Sequence, residues 1–170
     1  PTRRSSDLAT SPLAKGKESI SDMMKVISRY ADIMMARLFS HQILLEMARY
    51  STIPLINGLT NFSHPCQILG DLMTILEKKG KLEGLKLVYA GDSFNNVTHS
   101  LLYGCSQVGI SVAIACPRPE KYCPDPGVFT HARSFAQNKK CSVSLHHDLK
   151  EAIKGADVVY ADSWMSYHVP

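Results

Sequence analysis

Short apolar segments alternate with longer amphipathic segments along most of the chain, and this alternation restricts the possible folds more than any other feature. Leu85–Ala90 and Ser111–Cys116 are almost continuously apolar, which is typical of strands covered on both faces. Between them, Val97–Val108 has a helical pattern, and Gly109 follows as a helix-ending residue. Repeated strand–helix–strand units predict a parallel sheet covered by helices, which is an α/β fold.

The same pattern predicts the individual elements of the rest of the chain. We predict strands at residues 32–38, 53–57, 85–90, 111–116, 142–145 and 158–161. We predict helices at residues 19–27, 41–50, 64–79, 97–108, 127–138 and 148–153. Gly58 is expected to end the second strand, and Gly80 is expected to cap the third helix.

The composition argues against several classes of protein. The net charge of +4 is not concentrated on one basic segment, so there is little reason to expect nucleic-acid binding. No apolar run approaches the ~20 residues that a membrane-spanning helix needs. The cysteines are odd in number and none forms a C-x-x-C pair. This pattern favours free cysteines that pack as small hydrophobic side chains, in a protein of a reducing compartment. They are Cys66, Cys105, Cys116, Cys123 and Cys141.

Three polar segments follow predicted strands directly. They come after Ile56, after Ala90 and after Ala161. Ligands of open parallel sheets bind outside the carboxyl ends of the strands. The three segments therefore predict where a ligand site lies, although they do not identify the ligand.

The segment His64-Pro65-Cys66-Gln67 begins the longest predicted helix. A helix N-terminus offers unpaired backbone N–H groups and a positive dipole end, which favour an anion or a polarised oxygen. His64 and Gln67 are three residues apart, so both side chains can face one ligand. A neutral imidazole and a primary amide suit a carbonyl oxygen that gains charge. Spacing alone also allows a simpler interpretation, in which His64 only caps the helix and Gln67 is solvated.

His64–Gln67, followed by Ile-Leu-Gly-Asp-Leu, resembles the carbamoyl-phosphate motif of the ornithine carbamoyltransferases. The resemblance extends from Glu18 to Tyr167, in order and with the spacing of that family. It includes Ser28–Asp32, Met35–Arg37 and Ile56–Leu59. A chance match over that length is not a reasonable explanation.

The resemblance implies specific roles at the carbamoyl-phosphate site. Arg37 would contact carbamoyl phosphate, balance the phosphate charge and help to polarise the carbonyl group. His64 and Gln67 would hydrogen-bond the carbamoyl group, with Pro65 and Cys66 completing the motif. The simpler interpretation of Arg37 is a solvated arginine at the end of a strand.

The segment Gly91–Ser100 resembles the loop that binds the amino-acid substrate in this family. The family motif reads Gly-Asp-Gly-Asn-Asn-Val-x-His-Ser, and its second asparagine, here Asn96, contacts the amino acid. This chain has Ser93-Phe94 in place of one glycine, so its turn is one residue longer. An asparagine that only caps the following helix is the plain alternative.

The segment Asp162–His168 resembles the family loop Asp-x-Trp-x-Ser-Met-Gly. The resemblance implies that Asp162 binds the α-ammonium group of the substrate and that Ser166 adds a hydrogen bond. Tyr167 and His168 replace the methionine and glycine of the family, and this change bears on the choice of amine.

The resemblance also implies a domain organisation, with parts of two Rossmann-like α/β domains joined by a long helix. Residues 9–63 would be the C-terminal part of a carbamoyl-phosphate-binding domain, and residues 64–84 the interdomain helix. Residues 85–170 would be the N-terminal part of the ornithine-binding domain. Residues 1–8, PTRRSSDL, match the translation of a common sequencing adapter, so we expect them to carry no function.

The implied reaction transfers a carbamoyl group from carbamoyl phosphate to ornithine and needs no metal or organic cofactor. The family's Ser-Thr-Arg-Thr and His-Cys-Leu-Pro loops do not occur in these 170 residues, so we expect the chain alone to be inactive. The resemblance further implies a homotrimer for the whole protein. We expect a cytoplasmic location, with a mitochondrion or plastid as the alternative.

Alternative functions stay open from the sequence. The acceptor could be putrescine or an acylated ornithine, whereas Asn95-Asn96-Val97 argues against aspartate. A non-catalytic relative that binds metabolites is a further alternative, although Arg37, His64 and Gln67 argue for catalysis. A nucleotide-binding Rossmann domain is disfavoured because Gly91–Asn95 lacks the G-x-G-x-x-G spacing.

Overall fold

The structure is a computed structural model that describes residues 18–162, and it divides into two units between Asn61 and Phe62. The first unit contains two helices and a pair of parallel strands. In chain order its elements are α1 (Ile20–Ile27), β1 (Met34–Arg37), α2 (His41–Tyr50) and β2 (Leu55–Leu59). Its core consists of Met24, Ala36, Leu38, Leu44 and Met47.

Side-chain caps begin both helices of the first unit. The Ser19 hydroxyl accepts a hydrogen bond from the backbone N–H of Asp22 at 3.0 Å and donates to the Asp22 carboxylate at 2.8 Å. The Ser40 hydroxyl accepts from the backbone N–H of Ile43. Such caps satisfy N–H groups that the first helical turn leaves without partners.

The second unit is a four-stranded parallel sheet with helices on both faces. Its helices and strands are α3 (Pro65–Lys79), β3 (Lys86–Ala90), α4 (Asn96–Gln107), β4 (Ser111–Ala115), α5 (Pro126–Asn138), β5 (Val143–His146), α6 (Leu149–Ala152) and β6 (Val158–Tyr160). A 3-10 turn, Glu120–Tyr122, lies between β4 and α5. The strand order in the sheet is β5-β4-β3-β6.

The central strand β3 is buried on both faces, as its continuous apolar sequence predicts. Leu87 and Tyr89 belong to the large core that the sheet forms with α3, α4 and α5. Val88 points to the opposite face, where it packs in a smaller cluster with Ala152 of α6. The alternation follows from the period of two in a strand.

The order of the strands reverses at β3. The chain passes from β3 to β4 and β5 on one side, and β6 then pairs with the other side of β3. A crevice opens at such a reversal because the two following connections leave in opposite directions. The carboxyl ends of β3 and β6 are therefore where this sheet is expected to hold a ligand.

The structure confirms the α/β fold and the parallel strands that the alternation predicts. Gly80, with φ of 72°, caps α3 in the left-handed conformation, as expected. The sequence did not predict the 3-10 turn inside the proline-rich loop.

The expectation that Gly58 ends the second strand is wrong. Gly58 is buried inside β2, where Asn57 pairs with Ala36 and Leu59 pairs with Arg37, so Gly58 has no partner of its own. This is a β-bulge in β2. A Cβ atom at Gly58 would lie 3.1 Å from the backbone oxygen of Ala36 in β1 and 2.5 Å from the sulfur of the exposed Met35, so the neighbouring strand leaves little room for a side chain.

Helix α3 packs against α4 through Ile68, Leu72 and Ile75, all in the core of the second unit. The assignment of residues 64–84 to an interdomain helix stays a prediction, as do the boundaries at 63 and 84. Residues 1–8 lie outside the described part of the chain. Among residues 18–162, no helix is long and apolar enough to cross a membrane, and no three potential metal-ligating side chains are grouped.

Candidate active site

The N-terminus of α3 has a histidine cap. Pro65 occupies the first helical turn, where its missing N–H costs no hydrogen bond. The Nδ1 atom of His64 accepts a hydrogen bond from the backbone N–H of Gln67 at 3.3 Å. An accepting Nδ1 carries no proton, so the neutral imidazole has its proton on Nε2. His64 therefore caps the helix, and its role toward a ligand stays a prediction.

Gln67 is oriented by a carboxylate one turn further along α3. Its Nε2 donates to Oδ1 of Asp71 at 2.9 Å. A carboxylate only accepts hydrogen bonds, so the amide nitrogen must face Asp71 and the amide oxygen must face away. Gln67 is exposed, and its oxygen is an acceptor for an N–H group of a ligand.

Two buried residues of α4 hold the segment before α3. The Ser100 hydroxyl accepts from the backbone N–H of His64 at 2.7 Å and donates to the carbonyl oxygen of Asn96 at 2.8 Å. The His99 Nδ1 lies 2.9 Å from the carbonyl oxygen of Phe62. These contacts connect the helix terminus that carries His64 directly to the first turn of α4.

The turn between β3 and α4 is built around Asn95. Its Oδ1 accepts from the backbone N–H of Thr98 at 2.8 Å, and its Nδ2 donates to the hydroxyl of Tyr89 and the carbonyl oxygen of Asp92. The Tyr89 hydroxyl itself donates to that carbonyl at 2.7 Å. The capping role that the sequence left open between two asparagines thus belongs to Asn95, and Asn96 is the first residue of α4.

The additional residue in this turn is accommodated by burying Ser93. The Ser93 side chain is inaccessible to solvent, and its backbone N–H and hydroxyl both donate to the carbonyl oxygen of Tyr122, at 3.0 and 2.6 Å. Phe94 is exposed by comparison. The longer turn is therefore attached to the 3-10 turn.

Asp162 follows β6 at the same edge of the sheet. Partial desolvation raises the pKa of its carboxyl group, and the nearby carboxylate of Asp71 adds to this shift. Burial is also the main cause of the raised pKa of Tyr160, to which Asp71 and Asp162 contribute. The Tyr160 ring stacks on Tyr89 with 6.1 Å between centroids. Asp71 and Asp162 are thus near enough to repel each other, and a bound cation would relieve that repulsion.

Arg37 belongs to the first unit, where it is exposed at the carboxyl end of β1. The bulge at Gly58 places it opposite Leu59, because β2 contains one residue more than β1 at this point. Bulges change the direction of side chains and occur often beside binding sites. Backbone bonds from Leu38 to Leu59 and from Asn61 to Phe39 hold the two strand ends together.

Six of the predicted site residues lie in the second unit, and they are His64, Pro65, Cys66, Gln67, Asn96 and Asp162. Cys66 is exposed on the first turn of α3. Ser166 and Tyr167 lie outside the described residues. The roles of all these residues, and that of Arg37, stay predictions.

The sequence analysis gave no orienting role to five residues that orient this site, which are Asp71, Tyr89, His99, Ser100 and Tyr160. Asp71, His99 and Ser100 stand in the two segments that resemble the family motifs, but the resemblance assigned no role to them. Asp71 also stands four residues after Gln67, the spacing at which a glutamine and an aspartate on a helix can form a hydrogen bond. Contacts such as that of Ser100 with His64 join residues far apart in the sequence, which no local pattern reports.

His99 predicts a pH-dependent stability of the chain. It is buried, its Nδ1–H donates to Phe62, and burial lowers its pKa below the ordinary 6.5. The unfolded chain therefore binds more protons, so this stabilisation is complete above pH 6.5 and is lost as the pH falls through the folded-state pKa. In the wild-type chain, the free energy of unfolding should fall as the pH is lowered below 6.5. We expect this slope to be smaller in His99→Gln, by at most about 1.4 kcal/mol per pH unit.

Urea denaturation between about pH 5 and pH 8 measures this effect, since histidine changes charge in that range. His131→Gln is the control, because it is the same substitution at an exposed position of α5. Parallel pH profiles for the wild-type chain and His99→Gln would contradict the assignment.

Comparison with known proteins agrees with this geometry. Residues 83–169 match the family described as aspartate/ornithine carbamoyltransferase, Asp/Orn binding domain, and residues 2–77 match the corresponding carbamoyl-P binding domain. The chain belongs to the aspartate/ornithine carbamoyltransferase family. The resemblance found in the sequence is thereby confirmed, and the crevice at β3 and β6 lies in the Asp/Orn-binding part of the family match.

Individual carbamoyltransferases of the family are similar to the chain in sequence and fold. The ornithine carbamoyltransferase of Thermococcus kodakarensis is 49% identical over 149 residues, covering 88% of this chain and 46% of the relative. The solved ornithine carbamoyltransferase of Pyrococcus furiosus has a TM-score of 0.83 at 48% identity, over 88% of this chain and 47% of that one. A solved N-acetyl-L-ornithine transcarbamylase has a TM-score of 0.79 at 30% identity, over 96% and 55%. The chain spans about half the length of the curated relatives it matches.

Proposed function

We propose that the protein carrying this chain transfers the carbamoyl group of carbamoyl phosphate to the side-chain amine of ornithine, giving citrulline and phosphate. The observation that carries the proposal is the connection between the His64 cap of α3 and the Asn96 end of α4 through Ser100. It joins the motif expected to bind the carbamoyl donor to the loop expected to bind the amino acid. Membership of the family supports the same reaction.

The first chemical requirement is polarisation of the carbamoyl carbonyl. The Nε2–H of His64 and the N-terminal dipole of α3 both stabilise negative charge on an oxygen placed before the helix. Gln67 offers its amide oxygen, since its nitrogen is bonded to Asp71, and this oxygen suits the NH₂ of a carbamoyl group. His64 would thus bind the oxygen of the carbamoyl group, and Gln67 would bind its NH₂ group. Arg37 would balance the phosphate charge.

The second requirement is placement of an amine. The carboxylate of Asp162 would bind the α-ammonium group of the amino acid, and Asn96 and Ser166 would add hydrogen bonds. The carboxyl group of Asp162 is partly desolvated, which raises its pKa, and a bound ammonium group would favour its charged form. The uncharged side-chain amine then attacks the carbonyl carbon, and phosphate leaves from the tetrahedral intermediate. Catalysis of this kind consists of positioning and charge stabilisation.

A panel of amines tests the acceptor. With a full-length protein and carbamoyl phosphate, we expect kcat/KM for ornithine to exceed the values for putrescine, aspartate and N-acetylornithine at least about a hundredfold. A higher value for an acylated ornithine or for putrescine would replace ornithine as the substrate. Tyr167 and His168, which depart from the family motif, are the specific reason to include both.

The 170-residue chain by itself is expected to form no citrulline. The Ser-Thr-Arg-Thr and His-Cys-Leu-Pro segments that the family resemblance requires do not occur in its sequence. The measurement is a citrulline assay with saturating ornithine and carbamoyl phosphate, with a full-length relative as the positive control. Sustained turnover by the isolated chain would contradict this expectation.

A homotrimer and a cytoplasmic location are part of the proposal. The family resemblance supports the trimer, and light scattering of a full-length protein would measure it. The location rests on the resemblance alone, and one relative, from Pisum sativum, is described as chloroplastic.

A further inference from the structure

Cys116 and Cys123 form a close pair of thiols beside the turn that carries Asn95 and Asn96. Cys116 follows β4 and is buried, whereas Cys123 follows the 3-10 turn and is half-buried. Their sulfur atoms are 3.8 Å apart, and both cysteines are unoxidised. A disulfide needs a sulfur separation of about 2.05 Å, so closure requires a movement of less than about 2 Å.

The two thiols differ in their access to reagents. Burial, together with the nearby Cys123, raises the pKa of Cys116 to about 11, so Cys116 is protonated at neutral pH. Cys123 lines an apolar cavity of about 580 Å³ with Phe94, Pro124 and Phe129. Cys123 is half-buried and lines this cavity, whereas Cys116 is covered, so Cys123 is the more accessible thiol. The pair therefore has an accessible thiol and a resolving thiol.

Hydrogen bonds connect the cysteine pair to the turn between β3 and α4, which is expected to bind the amino acid. Tyr122, the residue before Cys123, accepts both hydrogen bonds of Ser93 through its carbonyl oxygen. The Ser93 hydroxyl also interacts with the Cys116 thiol. Ser93 lies two residues before Asn95, the cap of α4. A covalent bond between the cysteines would therefore move the groups that hold Ser93, and with it the turn.

We propose that Cys116 and Cys123 are a modification site that closes reversibly to a disulfide and thereby shifts the turn from Ser93 to Asn96. The oxidant is a low-molecular-weight disulfide such as oxidised glutathione. The Cys123 sulfur attacks it, loses its proton and releases one thiol, which forms a mixed disulfide. The Cys116 sulfur then attacks Cys123, loses its proton and releases the second thiol. Two protein thiols are oxidised to one disulfide, and one small disulfide is reduced to two thiols.

The formation of the bond can be tested with the 170-residue chain itself. It is equilibrated in glutathione redox buffers, alkylated and digested with trypsin, which cuts after Lys121 and separates the two cysteines. We expect a linked peptide pair in the wild-type chain and in Cys66→Ser and Cys105→Ser, and none in Cys116→Ser or Cys123→Ser. Dithiothreitol should reverse the link. Stable glutathione adducts on Cys123 without linkage to Cys116 would overturn the proposal.

The movement of the turn is measured by amide chemical shifts of the reduced and oxidised chain. We expect the largest changes at Ser93–Asn96 and at Tyr122, and none in the strand Met34–Arg37, which serves as the internal control. Oxidised chain with unchanged shifts at Ser93–Asn96 would also overturn the proposal. Neither measurement depends on catalysis.

The consequence for substrate binding rests on the proposed function. In a full-length protein we expect oxidation to change KM for ornithine at least about fivefold, the lower range of ordinary coupling between sites. Cys116→Ser should show no such response to oxidised glutathione. If the protein transfers no carbamoyl group in either redox state, the proposed function is contradicted. The peptide mapping and the chemical shifts would still decide the disulfide proposal in that case. Active protein with equal KM in both states would overturn the coupling.

Discussion

His64→Asn in a full-length protein is expected to lower kcat for carbamoyl transfer by about 10²–10³-fold, the usual effect of removing one oxyanion donor. Asparagine is among the best helix caps, so its side-chain oxygen can replace Nδ1 as the acceptor for the Gln67 N–H. The substitution therefore keeps the N-terminus of α3 and removes the Nε2–H donor. Because this donor acts mainly on the charge of the transition state, KM for ornithine should change little.

Steady-state kinetics at saturating carbamoyl phosphate measure the loss, and urea denaturation checks that the fold is intact. His131→Asn is the matched control, because it is the same substitution at an exposed position of α5. A His64→Asn protein with kcat within about threefold of the wild type would show that His64 only caps the helix, since that factor is below the range for a lost donor.

Features that depend on neighbouring residues could be predicted from the sequence. The short, largely apolar runs of β3 and β4, bounded by turn residues, favour strands buried on two faces. Pro65 and Gly80 mark the two ends of α3, since each suits only one end of a helix. The position of the polar loops at the carboxyl ends of strands follows from the parallel sheet.

Features that depend on residues distant in the sequence could not be predicted from it. Gly58 has the sequence signal of a strand breaker, and only its pairing with β1 shows that it forms a bulge. The orientation of Gln67 follows from Asp71, and the anchoring of the longer turn follows from Tyr122. Ser100 contacts a residue 36 positions away in the sequence. A pattern within one element carries no information about such partners, although it can identify the segment that needs one.

Gly104→Ala is expected to reveal how closely α3 and α4 must approach for the site to form. Alanine stabilises a helix by about 1 kcal/mol relative to glycine. At this position, however, a Cβ atom would overlap Cγ1 of Ile68, a branched side chain that is buried between the helices. Overpacking of a core costs about 1–3 kcal/mol, so the net effect should be a loss of about 1 kcal/mol in the free energy of unfolding.

A double-mutant cycle separates the overlap from the helix propensity. Ile68→Ala alone should cost about 2–5 kcal/mol, because it leaves a cavity in the core. In that background Gly104→Ala should become stabilising by about 1 kcal/mol, since the overlapping atom is gone. The coupling energy between the two positions should therefore be about 1–3 kcal/mol, as measured by urea denaturation of the four proteins.

Gly70→Ala provides the control, because Gly70 lies on α3 and a Cβ atom there would meet no atom within 4 Å. It should stabilise the chain by the same amount in both backgrounds. Ile68 follows Gln67 directly, so an overlap at Gly104 pushes on the turn that holds His64 and Gln67. Equal effects of Gly104→Ala with isoleucine and with alanine at position 68 would mean that α3 is positioned by other contacts. The hydrogen bond from His64 to Ser100 would then be the first contact to examine, because it joins the same two helices at their N-terminal ends.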